Sequence, residues 1–403
     1  MSASSRLRLR LFPRAETAVR KGHPWIYADS IKEQNREGEA GELAVIYDKR
    51  DRFMAIGLHE PESPIRVRVV HLGAPVTIDA DWWRGRLQDA ARRREGILAA
   101  GGTTGLRLVN GDSEGFPGLI IDRYADTLVV KLYTSAWLPR WREMESLIRE
   151  VFAPRFLVLR LSRNLQATAS EHWGLEEGYV GETGEELVVF EENGIRFESA
   201  VVRGQKTGFF LDQRENRARV EHLAAGRKVL NVFSFSGGFS LYAARGGATE
   251  VTDLDISAHA LASAQANFEL NQADSKVPRA RHQRVQADAF EWLKGCRGKF
   301  DLIVVDPPSL AKREREREGA IQAYETLNRR AIGLLAPGGV LVAASCSAHV
   351  SADEFHLLLD RVVAASGGSC RELWRSGHAV DHPATFSEAH YLKARCLERV
   401  GGF

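Results

Sequence analysis

Arg227-Lys-Val-Leu-Asn-Val-Phe-Ser-Phe-Ser-Gly-Gly-Phe-Ser240 decides how the second half of this chain is read. Its first seven residues are a short apolar run of the kind that becomes a strand buried on both faces, and the Ser/Gly segment after them leads into an apolar helical stretch at Leu241 to Arg245. Adjacent Gly237 and Gly238 let the backbone approach a ligand closely, and a helix N-terminus adds N–H donors. The spacing is not G-x-G-x-x-G, which argues against a dinucleotide site.

The same texture continues outward. Apolar runs at Glu250–Asp255, Arg281–Val285, Phe300–Asp306 and Val340–Ala344 alternate with helical stretches such as Ala258–Leu270, the pattern of a doubly wound parallel sheet and an α/β domain. Ligands in such sheets lie beyond the carboxyl ends of the strands. After the second run, Asp255 is placed to accept from both hydroxyls of a ribose, with Asp253 as its rival. After the third, Asp288-Ala289 offers an acid and a small apolar surface to an adenine, or a helix N-cap. After the fourth, Asp306-Pro307-Pro308 fixes a carboxylate in a rigid loop. After the fifth stands Ser345-Cys346-Ser347. A buried free cysteine is ordinarily inert packing, but this one follows a strand one place along from Asp306, which points to a working thiol.

Upstream the pattern differs. Short β-like runs at Leu43–Tyr47, Phe53–Ile56 and Ile65–Val70 read as a small β barrel or roll. Lys21, His23, Trp25 and Tyr27 set basic beside aromatic side chains, either for phosphate contact and base stacking or as a turn packed on a core. A helix from Asp81 to about Ala100 carries Arg84, Arg86, Arg92, Arg93 and Arg94 as a basic face, most simply a solvated one and alternatively one that faces RNA. Strands around Leu106–Asn110, Leu119–Asp122, Leu128–Tyr133 and Phe156–Leu161, with a helix at Arg140–Phe152, make an α+β connector. The run Lys312-Arg-Glu-Arg-Glu-Arg-Glu318 reads as a solvated helix start or a flap over the site.

Composition constrains the rest. Across 403 residues, 44% apolar and 27% charged side chains fit folded domains and exclude wholesale disorder. The net charge of +2 does not demand a polyanionic partner, yet 44 of the 55 basic residues are Arg, the better fork for phosphate. Cys296, Cys346, Cys370 and Cys396 lack zinc-knuckle spacing, so neither a metal nor a disulfide framework is expected. Pro337-Gly338-Gly339 breaks the one long uncharged stretch, and Arg6, Arg8 and Arg10 interrupt any secretory signal; a cytoplasmic protein with no membrane span is expected.

The ordered set Phe-Ser-Phe-Ser-Gly-Gly-Phe-Ser, Asp255, Asp288, Asp306-Pro-Pro and Ser-Cys-Ser resembles an S-adenosylmethionine-dependent methyltransferase of the Rossmann-like class. Lys21-Gly-His-Pro-Trp-Ile26, Arg107-Leu-Val-Asn-Gly-Asp-Ser-Glu-Gly-Phe-Pro-Gly-Leu-Ile-Ile-Asp-Arg-Tyr124, Gly204-Gln-Lys-Thr-Gly-Phe-Phe-Leu-Asp-Gln-Arg214, Asp381-His-Pro383 and Tyr391-Leu-Lys393 narrow the likeness to the 23S ribosomal RNA cytosine-C5 methyltransferases. The resemblance implies a PUA-like RNA-binding domain over residues 1–73, an α+β connecting domain over 74–188 and the methyltransferase domain over 189–403. It implies S-adenosylmethionine held by Phe233, Ser234, Ser236, Gly237, Asp255, Ile256, Asp288, Ala289, Asp306 and Pro307. It also implies RNA contacts at Lys21, His23, Trp25, Lys206, Phe210 and Gln213. The partner implied is 23S ribosomal RNA; the oligomeric state is left open by the sequence, with a homodimer as one option. One departure stands out: Ser309-Leu310 follows Asp-Pro-Pro where the family usually has Lys-Phe.

The chemistry expected follows from the base. Carbon 5 of cytosine is a poor nucleophile until a thiolate adds at carbon 6, so Cys346 is the expected nucleophile and Asp306 the group that steadies the ring. The alternatives are a ribosomal RNA guanine methyltransferase, which shares the Asp-Pro-Pro turn without needing a thiol, and a non-catalytic RNA-binding ribosome-assembly factor.

Overall fold

A computed structural model describes residues 6–311 and 313–401. The chain divides into two compact units. One runs up to Gly194 and includes Ser199–Leu211 and Val380–Phe386; the other contains Ile195–Glu198, Asp212–Ala379 and the chain from Ser387 on.

In the first unit a six-stranded sheet has the order Trp25–Tyr27, Ile65–Leu72, Phe53–His59, Leu43–Tyr47, Leu7–Leu11 and Ile31–Gln34. Leu7–Leu11 lies parallel to Leu43–Tyr47, and the other pairings are antiparallel. Leu7, Leu9 and Leu11 alternate with the exposed Arg8 and the half-buried Arg10 and face a core with Val19, Ile26, Ile46 and Val67. The helix Pro13–Arg20 joins the first two strands in chain order; with Val19 its sole buried residue, it carries too little apolar periodicity to be read from sequence. A five-stranded sheet, Gly178–Tyr179, Phe156–Leu161, Thr127–Leu132, Leu119–Tyr124 and Gly105–Asn110, supplies the second layer. Helices Ala80–Ala99 and Trp141–Phe152 share its core through Trp83, Leu87, Met144 and Ile148.

The solvated basic face expected on Ala80–Ala99 needs correction. Arg94 is buried and binds both Glu114 oxygens (2.5 and 2.8 Å) and the Arg107 carbonyl (2.8 Å). Arg93 joins the same carboxylate, and Arg86 donates to the Glu114 carbonyl. A buried carboxylate draws in guanidinium groups because an unpaired charge in a core is costly.

The second unit is built on seven strands: β1 (Lys228–Val232), β2 (Glu250–Asp255), β3 (Arg281–Gln286), β4 (Phe300–Val305), β5 (Leu335–Ser345), β6 (Cys370–Ser376) and β7 (Lys393–Arg399). Their order is β3-β2-β1-β4-β5-β7-β6, parallel through β5 and antiparallel for β7 and β6. Helices α1 (Arg214–Leu223), α2 (Gly238–Arg245), α3 (Ala258–Leu270), α4 (Ala289–Gly295), α5 (Arg317–Gly333) and α6 (Ala352–Ala365) accompany the sheet. Val229, Leu230 and Val232 of β1 are fully buried, as a central parallel strand requires. The strand order reverses between β1 and β4, the switch point at which such sheets bind ligands. The acidic-basic run named above forms a short turn at Glu314–Glu316 and the start of α5; its first residue, Lys312, lies outside the described residues.

Candidate active site

The loop after β1 is backbone under constraint. Phe233 (φ 62°) and Phe235 (φ 47°) are both left-handed, and Gly237 (φ 75°) caps α2. Left-handed non-glycine residues persist where surroundings over-determine them. Here the N–H groups of Phe233 and Ser234 donate to the Leu254 carbonyl (2.9 and 3.2 Å), and that of Phe235 donates to Asp255 Oδ2 (2.9 Å). A Cβ on Gly237 would stand 3.0 Å from Ala264 Cβ and 3.2 Å from Asp253 Oδ2, so a side chain there would be crowded as well as strained in φ. Within this loop the Ser234 and Ser236 hydroxyls are buried and have no hydrogen-bond partner among the described residues. Unsatisfied buried hydroxyls are uncommon in a finished core and are what a polar ligand would satisfy.

The two acids of β2 separate by environment. Asp253 is fully buried and accepts from Asn231 (3.2 Å), His282 Nε2 (2.8 Å) and the Ser240 hydroxyl, so its oxygens serve the framework. Asp255 is partly exposed at the strand end, with Oδ1 held by the Ser257 N–H (2.9 Å). Ile256 beside it is 67% exposed, an apolar surface left open next to the acid. Asp288 caps α4 by accepting from the Glu291 N–H (3.0 Å), and Ala289 is buried behind it. The capping role, which the residue pattern allowed, is therefore present.

Beyond β4, Asp306 accepts from Gln213 Nε2 (2.9 Å). Gln213 is fixed in turn: its Oε1 accepts from Asn216 (2.6 Å), whose Oδ1 accepts from the Ser376 hydroxyl (2.6 Å). Cys346 Sγ lies 3.8 Å from the carbonyl oxygen of Pro307, the residue after Asp306, and the cysteine is only partly buried. The strand ends thus bring together a thiol, a carboxylate and the amide that orients it.

Two side chains that sequence reasoning gave no role complete this corner. The buried Tyr324 hydroxyl of α5 accepts from the Ser345 hydroxyl (2.9 Å) and bonds the Ser347 hydroxyl (2.9 Å), the two residues flanking Cys346. Ser347 Oγ also accepts from the N–H groups of Leu310 (3.0 Å) and Ala311 (3.3 Å), tying the loop after Asp306 to the loop around Cys346. Ser309 donates to the Ala311 carbonyl within that loop (3.1 Å). Burial pushes the Tyr324 phenol up to about 12, with Asp306 and Cys346 acting in the same direction. The second side chain is Lys393, whose buried ammonium donates to the Ser347 (2.5 Å), Val350 and Tyr391 (3.1 Å) carbonyls, and burial brings its pKa down to about 8.

The remaining residues expected to contact RNA lie in the first unit. Trp25 donates its indole N–H to Asp112 (2.8 Å) and packs against Phe386 at 5.1 Å and His23 at 5.9 Å, while Lys21 is exposed. Lys206 sits 4.4 Å from the Phe210 ring. Their segment is held from beneath: Lys131 donates to the Lys206 carbonyl (3.0 Å), Arg160 to the Gly204 carbonyl (3.0 Å), and Thr207 to Asp122 (2.5 Å). Asp381 accepts from the Arg107 N–H (2.8 Å), so the Asp-His-Pro segment is structural in this unit.

Comparison with known proteins agrees with this geometry. Residues 155–372 match the model of the S-adenosylmethionine-dependent methyltransferase family, and residues 9–71 match a PUA-like domain. A "Ribosomal RNA large subunit methyltransferase" of Deinococcus radiodurans is 58% identical, with 98% of each chain covered. A "Ribosomal RNA large subunit methyltransferase I" of Shewanella denitrificans is 35% identical over 96% of this chain and 98% of its own. The chain belongs to this methyltransferase family. The fold extends to a Streptococcus mutans protein described as a SAM-dependent methyltransferase (TM-score 0.82, 23% identity, 97% of this chain and 100% of that one). A methyltransferase solved with SAH gives a TM-score of 0.83 at the same identity and coverage. The cofactor of the family, S-adenosylmethionine, suits what the loop after β1 offers: two buried hydroxyls without a partner among the described residues, a left-handed glycine closely backed by Ala264 and Asp253, and an acid at the end of β2.

Proposed function

We propose that this member of the family methylates carbon 5 of a cytosine in 23S ribosomal RNA through a covalent Cys346 adduct. The relatives' names supply the substrate class, large-subunit ribosomal RNA, and the matched family model supplies S-adenosylmethionine as the methyl donor. The observation that carries the finer reading is the approach of Cys346 Sγ to the Pro307 carbonyl, which puts the thiol beside Asp306 at the carboxyl ends of β4 and β5. A guanine methyltransferase needs only the acid; a thiol next to it is what pyrimidine carbon-5 chemistry requires.

The Cys346 thiolate adds to carbon 6, forming an S–C6 bond and turning carbon 5 into an enamine-like nucleophile. Asp306, kept in place by Gln213, faces the N3 and amino edge and stabilises the charge that develops there. Held by the loop after β1 and the acid of β2, the cofactor would supply an electrophilic sulfonium methyl; carbon 5 forms the new C–C bond as the S–CH3 electron pair returns to sulfur, with S-adenosylhomocysteine as the leaving group. A base then removes the carbon-5 proton, the electron pair reforms the C5–C6 double bond, and Cys346 leaves as thiolate. A base stacked in a helix is out of reach of such a site, so the target is an opened or single-stranded nucleotide. Cytoplasmic residence follows from that substrate.

The test is Cys346→Ala assayed with labelled cofactor and 23S RNA, together with trapping on RNA containing 5-fluorocytidine, where fluorine stands in place of the carbon-5 proton and cannot be eliminated. Loss of both methylation and the trapped complex is expected. Undiminished carbon-5 methylation, or a modified guanine in nucleoside mapping, overturns the reading.

A further inference from the structure

Lys393 is a buried ammonium with no carboxylate paired to it among the described residues. Its position is set by strand register. β7 runs antiparallel to β5 with Lys393 opposite Ser345, the residue before Cys346. From there Nζ reaches two carbonyls, Ser347 and Val350, that belong to the turn directly after Cys346, itself closed by the Val350 N–H on the Ser347 carbonyl (3.2 Å). Three N–H donors meet three carbonyl acceptors, which satisfies the geometry of the group but not its charge. A buried charge without a counter-ion is costly, so such an amine either gives up its proton or is balanced by a negative charge beside it, and Cys346 is the group that acts on Lys393 in that second sense.

Resting on Cys346 as the nucleophile, we infer that Lys393 is a positioning residue that holds the turn after Cys346 and stabilises the cysteine as thiolate. Among the described residues, the ionisable groups at this corner are Lys393 from β7, Tyr324 from α5 and Asp306 after β4, with Tyr391, whose hydroxyl donates to Asp212, and His378, which accepts from the Leu392 N–H, in the segments leading to Lys393. Tyr324 and Asp306 carry negative charge when ionised and oppose a thiolate; Lys393 brings the compensating positive charge. The same field acts in the other direction, since a Cys346 thiolate favours the protonated amine.

The test reads the thiol rather than methylation. In the full-length protein, the rate of iodoacetamide alkylation at Cys346, located by peptide mass mapping, is followed from pH 6 to 10.5 in the wild type, Lys393→Met and Lys393→Arg. Lys393→Met slows alkylation about tenfold at pH 7, the difference closes at the alkaline end, and Lys393→Arg restores the neutral-pH rate. A Lys393→Met profile that keeps the wild-type shape overturns the inference, because loss of packing alone lowers the rate without moving its pH dependence. If Lys393→Met does not fold, the reciprocal measurement decides. NMR titration of the Lys393 ε-carbon in Cys346→Ser must show a lower lysine pKa than in the wild type, and an unchanged titration overturns the inference. Either result stands apart from the nucleophile assignment, which Cys346→Ala tests by itself.

Discussion

Gly237→Ala asks whether the loop after β1 is a built cofactor cradle or an incidental turn. At φ 75° any L-residue enters the left-handed region, at a cost of about 1–2 kcal/mol. The added methyl would also meet Ala264 Cβ at 3.0 Å and Asp253 Oδ2 at 3.2 Å, closer than relaxed contacts allow. Asp253 is pinned by Asn231, Ser240 and His282, and Ala264 lies within α3, so neither neighbour yields easily. Overpacking of this kind adds about 1–3 kcal/mol. Gly338→Ala isolates the first contribution, since Gly338 has nearly the same φ (73°) and nothing within 4 Å of its would-be Cβ. Urea denaturation therefore gives a loss of about 1–2 kcal/mol for Gly338→Ala and about 2–5 kcal/mol for Gly237→Ala. Calorimetry with S-adenosylhomocysteine separates them further: displacement of the loop at a cost of about 2 kcal/mol weakens binding about 30-fold in Gly237→Ala, while Gly338→Ala binds as the wild type does. Equal affinities in the two variants, or equal stabilities, would show the reasoning about this loop to be wrong.

Other perturbations probe the remaining corners. Asp306→Asn keeps an acceptor for Gln213 but removes the charge, so kcat for methylation falls about 10²–10⁴-fold with circular dichroism unchanged; a loss below about tenfold refutes a role for that charge. Tyr324→Phe deletes the hydroxyl joining Ser345 and Ser347, and two neutral hydrogen bonds at about 1 kcal/mol each predict about 2 kcal/mol lower stability in denaturant unfolding. Stability should depend on pH through Lys393. Its folded pKa of about 8 lies below the ordinary 10.5, so between these values the unfolded chain holds a proton the folded chain has released. Unfolding free energy therefore rises with pH across that window, by about 3 kcal/mol in all, relative to Lys393→Met. Parallel pH profiles for the two proteins contradict this.

The sequence was most legible where chain order and spatial order coincide. In a parallel sheet every strand delivers its carboxyl end to the same edge, so Gly237, Asp255, Asp306 and Cys346 could be gathered from the pattern of apolar runs alone. Helix Ala258–Leu270 and strands Glu250–Asp255 and Phe156–Leu161 fall where periodicity put them. What stayed hidden came from partners far away along the chain. The Arg94–Glu114 pair turned part of an expected wet face into core, because composition counts charges without saying which are paired.

The same limit explains why the proposed catalytic corner was half seen. Cys346 and Asp306 announced themselves by chemistry at strand ends, whereas the groups that hold them act through register and burial, which no local window records. Lys393 stands among the closing residues and reaches the Cys346 turn only because β7 inserts antiparallel beside β5. Tyr324 reads as an ordinary apolar position of an amphipathic helix until its hydroxyl is found between Ser345 and Ser347. Residues that touch a reacting atom are constrained by chemistry and so leave a motif. Residues that set its protonation or aim need only arrive at the right place with the right charge, and the antiparallel strand added beyond β5 is the device in this fold that brings such a charge in from the far end of the chain.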